Sequence, residues 1–137
     1  MEPSTELRDL TLRLYEALAS GDHAFLDRHF SGRSGVLTIG TDPQEWWTDR
    51  EAAMRVFRAQ LEEIGGFPIA AGDPQAYTEG SVGWVADQPR VTLPGTDMRL
   101  RLTGVLHREG EDWKIVQWHI SMGVPNEQAL GQELTTQ

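Results

Sequence analysis

The chain contains no cysteine. That excludes a disulfide framework, a thiolate nucleophile and any cysteine-held zinc or iron–sulfur site. Positive charge is scarce: 12 Lys and Arg stand against 21 Asp and Glu, for a formal net charge of -9. Neutralising phosphates needs the opposite balance, so neither nucleic acid nor an anionic membrane surface is an expected partner. No apolar run approaches the ~18 residues that span a bilayer. Met1-Glu2-Pro3-Ser4 lacks the basic-then-apolar pattern of a secretory signal, so a cytoplasmic protein is expected. No His-x-x-x-His or His-Glu-x-x-His spacing supports a metal site. No Gly-rich phosphate loop or Gly-x-Ser-x-Gly elbow occurs, and no cofactor is expected.

The 137 residues that are present are 39% hydrophobic and 24% charged, which predicts one globular domain with a real core. Five tryptophans stand out. Leu7, Leu10, Leu14 and Leu18 recur at helical spacing, with Ser4 as N-cap and Gly21 as stop. Asp22 caps a short second helix carrying Phe25, Leu26 and Phe30. Val36–Ile39 reads as a strand, broken at Thr41-Asp42-Pro43. Thr48-Asp49-Arg50-Glu51 reads as a capping box that opens a third helix, with Met54, Phe57, Leu61 and Ile64 on one face. Gly65-Gly66 ends it.

Beyond Phe67 the pattern turns to strands: 68–79 with a break at Gly72-Asp73-Pro74, 81–93, 98–108 and 113–122. The tail from Gly123 is polar. Helices followed by an antiparallel meander predict an α+β domain, with helices covering one face of a curved sheet and a mouth between the two layers.

Three segments carry a family resemblance: Tyr15-Glu16-Ala17-Leu18-Ala19-Ser20-Gly21-Asp22, Gly80-Ser81-Val82-Gly83-Trp84-Val85, and Leu102-Thr103-Gly104-Val105-Leu106-His107-Arg108 with the following Trp113-Lys114-Ile115-Val116-Gln117-Trp118-His119-Ile120-Ser121. Over about residues 5–123 the chain resembles the nuclear transport factor two-like superfamily. Its Trp-x-Ile-x-x-x-His-x-Ser ending is similar to the SnoaL-like branch. The resemblance implies a cone-shaped α+β barrel of three N-terminal helices on a curved antiparallel sheet. It also implies a homodimer formed sheet to sheet. The superfamily includes isomerases, dehydratases, cyclases and kinase association domains, so the fold alone assigns no reaction.

Alternation divides the last hairpin. Val116, Trp118, Ile120 and Met122 share one face with Leu100, Leu102, Gly104 and Leu106. Trp113, Ile115, Gln117, His119 and Ser121 share the other with Arg101, Thr103, Val105 and His107. The apolar set is expected to face the helices, leaving the mixed set for a subunit interface. The rival assignment turns the hairpin over and lines the mouth with His119, Gln117 and Arg101.

His119 is the foremost candidate general base, although no carboxylate stands at a recognisable spacing, and an interface His is the default. Tyr15 matches, approximately, the first-helix Tyr that serves as oxyanion donor in the ketosteroid isomerases. The strand 98–108 lacks the Asp that serves those enzymes as base. Asp87 is expected to be solvated or at the interface, because its parity opposes that of Trp84. Trp46 and Trp47 are expected in the loop before the third helix, one of them as a lid. Tyr15, Trp47, Trp84, Trp118 and Ile120 are the expected lining of an aromatic pocket for a small hydrophobic molecule. The alternatives are an isomerase, dehydratase or cyclase acting on a ring substrate, or a dimerisation module with no ligand.

Overall fold

Polar side chains and glycines set the helix ends. In the computed structural model, which describes residues 1–137, a short strand β1 (Glu2–Pro3) leads into α1 (Thr5–Ser20). The Ser4 hydroxyl accepts the Leu7 N–H at 3.1 Å, satisfying one of the donors that a helix start leaves unpaired. The Asp22 carboxylate does the same for Phe25 at the start of α2 (His23–His29). Next come β2 (Leu37–Ile39), β3 (Trp46–Trp47) and α3 (Arg50–Ile64). Asp49, rather than the expected Thr48, caps α3 by accepting the Glu51 N–H. Trp46 and Trp47 form a strand rather than a loop, because they pair with Ile39 and Thr38.

The C-terminal half contains β4 (Ile69–Ala70), β5 (Gln75–Glu79), β6 (Val82–Asp87), β7 (Arg90–Leu93), β8 (Thr96–Arg99), β9 (Arg101–Glu109), β10 (Asp112–Ser121) and α4 (Asn126–Leu130). The segments 81–93 and 98–108, expected to be single strands, each break in two. Pro89 brings no N–H to a ladder, and its carbonyl instead accepts the Leu100 N–H at 2.8 Å. The two strands bend together there, so β7 and β8 leave the main sheet and join β4 in a three-stranded one. The main sheet runs β1-β5-β6-β9-β10-β2-β3, curved and unclosed. All of its pairs are antiparallel except β10 with β2. The polar tail contains one short helix, α4, that buries nothing.

The register of β9 and β10 slips between Ile115 and Gln117, leaving Val116 as the extra residue of a bulge. Trp113 and Ile115, expected on the outer face, are therefore buried beneath the helices. Trp118 and Ile120 point the same way beyond the bulge. A bulge inverts side-chain parity, so both halves of the strand give their apolar residues to one core. Leu7, Leu10 and Leu14 of α1 close that core from above.

Candidate functional site

A cavity of about 120 Å³ lies between the helices and the end of the sheet. Its walls come from Leu14 and Leu18 of α1, Leu26 of α2, Phe30 just beyond it, and Phe57 and Leu61 of α3. Trp118 and Ile120 of β10 form the sheet side, and Ile64 and Phe67 one edge. The Leu14–Leu18 pair follows from four-residue helical spacing, which puts both side chains on one face. Trp118 fits because its cross-strand partner is a glycine: a Cβ on Gly104 would stand 3.1 Å from the indole ring. Phe30 meets Trp118 and Phe57 edge to face, with centroids 6.4 and 6.1 Å away, a favourable aromatic geometry.

The remaining lining residues are Gly40, Thr41, Glu45 and Gln60, on the loop between β2 and β3 and on α3. Glu45 accepts from Gln60 Nε2 at 2.9 Å and from the Asp42 N–H at 2.9 Å. Glu45 is the sole ionisable residue on the lining. Nothing in the sequence flagged it: it lies in an irregular loop, and only folding brings it across to α3. Gln60 lies three positions beyond Phe57, so its place on the same face of α3 was legible.

Of the five residues expected to line a pocket, Trp118 and Ile120 do. Tyr15, Trp47 and Trp84 are placed elsewhere. Trp84 lies on the outer face of β6, stacked on Tyr77 with centroids 6.4 Å apart, because β6 turns Gly83, Val85 and Asp87 inward. Trp47 packs behind the cavity wall, 5.8 Å from Phe57 and edge to face. Trp46 is 68% exposed.

Tyr15 is buried, and its hydroxyl donates to Asp87 at 2.8 Å. Asp87, expected to be solvated or at the interface, is instead only 9% exposed within the fold, and it also accepts from the backbone N–H groups of Gly72, Asp73 and Gln88. Burial first, then the hydrogen bond and charge of Asp87, push the Tyr15 hydroxyl far above the ordinary phenol range. Its proton is committed to Asp87, which leaves it no donor for a ligand.

His119 pairs with Thr103 on the opposite side of β10 from Trp118, facing away from the cavity. The rival assignment, with His119, Gln117 and Arg101 toward the helices, does not hold. Ser31, Glu109 and His107 do come together, with Ser31 Oγ donating to Glu109 at 2.7 Å and His107 Nδ1 3.5 Å from the same oxygen. Ser31 is fully buried and its partner is the carboxylate, not the imidazole, so the trio lacks an accessible, activated nucleophile. No three His, Asp or Glu side chains meet in a group able to hold a metal ion. No helix is long and apolar enough to cross a membrane.

Solved structures share this fold. An NTF2-like protein of unknown function from Pseudomonas putida KT2440 superposes with a TM-score of 0.80 at 14% identity, over 97% of this chain and 94% of that one. A candidate dehydratase of the NTF2-like family from Streptomyces avermitilis gives 0.74 at 15% identity, over 87% and 94%. A candidate ketosteroid isomerase from Shewanella frigidimarina gives 0.67 at 16%, over 82% and 92%. At such identities the likeness is one of fold. No curated protein matches the chain. The model of the SnoaL-like domain matches residues 7–125, nearly the whole of the structure described above, and the chain belongs to that family.

Proposed function

We propose that this SnoaL-like protein binds a small hydrophobic ring compound in the cavity between its helices and sheet. The observation that carries the reading is the composition of the wall: ten of the fourteen lining residues are hydrophobic, and the polar ones gather on the Gly40–Glu45 loop and at Gln60. A pocket of this kind grips by buried area and aromatic contact. Apolar cavities of roughly 150 Å³ take benzene, so a volume of about 120 Å³ suits one small ring rather than a fused set. Trp118 reports on occupancy. Toluene is expected to change its fluorescence saturably, and Trp118→Phe to abolish the change. No response to toluene or other single-ring compounds overturns the reading.

The protein is proposed to act in the cytoplasm as a homodimer, joined through the outer face of the sheet. In support, cross-strand register lines up Tyr77, Trp84, Val105, Gln117 and Leu37 in one row across that face. Leu37, Tyr77 and Val82 are 42, 36 and 40% exposed, and Trp46 lies in the adjacent row. Light scattering should give twice 15.3 kDa, and a monomer at all concentrations refutes the dimer.

A second reading, a dehydratase or isomerase acting on a ring substrate, draws on Glu45. With His119 facing away, it is the one group at the cavity able to take up a proton. The two neighbours named for such activities lend this reading its reaction classes. The cavity itself favours both readings over a dimerisation module without a ligand.

A further inference from the structure

The mouth of the cavity is held in one arrangement by several independent contacts. Across the loop, the Gly40 N–H donates to the Glu45 carbonyl at 2.8 Å and the Glu45 N–H to the Asp42 carbonyl at 2.9 Å. The side chain of Glu45 then folds back over Gly40. A Cβ at that position would stand 2.8 Å from both Cβ and Oε1 of Glu45, so only glycine leaves the path free. The carboxylate is thereby fixed at the rim, with Oε1 on the Asp42 N–H and Oε2 on Gln60.

The charge of this group is not offset inside the cavity. No Lys, Arg or His lines it, and Glu45 takes part in no ion pair. Its bonds come from one neutral amide side chain and one backbone N–H. Each carboxylate oxygen can accept two hydrogen bonds, so both retain capacity, and Gln60, an exposed side chain, can be displaced. A ligand whose ring enters the apolar interior presents its substituent to this carboxylate. A hydroxyl or ammonium gains a charge-assisted hydrogen bond there. A ligand carboxylate meets a like charge at close range, well inside the distance over which salt screens repulsion.

We propose that Glu45 sets the specificity of the cavity: it selects single-ring ligands bearing a hydrogen-bond donor, neutral or cationic, and excludes ring carboxylates. The proposal rests on the cavity being the ligand site. It adds the chemical class of ligand and names the residue that enforces it.

The experiment titrates the full chain with toluene, benzyl alcohol, benzylamine and benzoate, following Trp118 fluorescence and checking each affinity by calorimetry. Benzyl alcohol and benzylamine should each bind on the order of tenfold or more tightly than benzoate, a ratio corresponding to about 1.4 kcal/mol. Glu45→Gln keeps the shape and removes the charge. It should strengthen benzoate binding and bring it to within roughly threefold of benzyl alcohol, a residual gap of about 0.7 kcal/mol. Gly40→Ala, which pushes the Glu45 side chain from its seat, should narrow the gap as well, and thermal unfolding will verify that both variants are folded. If benzoate binds the wild type as tightly as benzyl alcohol, or the gap survives in folded Glu45→Gln, the proposal is overturned while the cavity reading stands. If none of the four compounds binds, the cavity reading falls and takes this proposal with it.

Discussion

Asp87 and Glu45 are two carboxylates in one small fold, and their surroundings differ. Asp87 is buried and saturated: Tyr15 and three backbone N–H groups fill both of its oxygens. Glu45 stands half-buried at a rim with two donors and spare acceptor capacity. On the proposed reading, the difference separates a structural post from a recognition group. A fully satisfied buried charge ties elements together, here α1 to the corner between β4 and β5, and has nothing left to offer a ligand. A partly satisfied one at a cavity mouth can exchange a protein partner for a ligand. Thr38 completes the series, because its hydroxyl is buried on β2 with no partner at all.

These differences can be broken in order of expected size. Asp87→Ala strands a tyrosine hydroxyl and three N–H groups and should cost on the order of 3 kcal/mol in urea unfolding. A loss under 1 kcal/mol refutes the structural role. Tyr15→Phe removes one donor from the same node and should cost about 1–1.5 kcal/mol. If it costs as much as Asp87→Ala, the backbone donors contribute nothing. Thr38→Val replaces an unsatisfied hydroxyl with a methyl of similar shape and should stabilise the protein by about 1 kcal/mol, read as a raised Tm. A lowered Tm would reveal a partner for that hydroxyl.

Acid provides a milder test at the β9–β10 hairpin. The hydrogen bond from Ser31, aided by His107 and Arg33, holds the Glu109 carboxyl below its ordinary value of 4.5. The folded state thus binds that proton less readily than the unfolded chain does. The stability it contributes is complete above about 4.5 and is lost as pH falls through the folded value. Glu109→Gln should flatten the acid limb of a stability–pH curve, and an unchanged limb would remove Glu109 from its cause.

Much of this architecture was written in local sequence. Ser4, Asp22, Gly21 and Gly65 mark helix ends where the structure has them, since capping depends on a few neighbouring residues. What escaped depends on partners distant in the chain. The Val116 bulge exists only relative to β9, and without it alternation puts Trp113 and Ile115 on the wrong face. Trp84 looked like a pocket residue because it is aromatic, but the parity of β6 buries Asp87 instead. Trp118 and Ile120 were legible because they lie on the apolar face of the last strand. Glu45 was not, because its place at the cavity comes from α3 standing opposite its loop.

The one parallel pairing in the main sheet has a kinetic consequence. Leu37 of β2 lies beside Gln117 of β10, 80 positions along the chain. Closing so long a loop is entropically slow, and contacts of this separation dominate the folding time of a small domain. The loop that carries Glu45 leaves directly from β2, so it comes to lie beside Trp118 and Ile120 only once β10 has docked. On the ribosome, the first helices can form early, but the cavity wall that Trp118 and Ile120 supply must wait until the last strand has emerged.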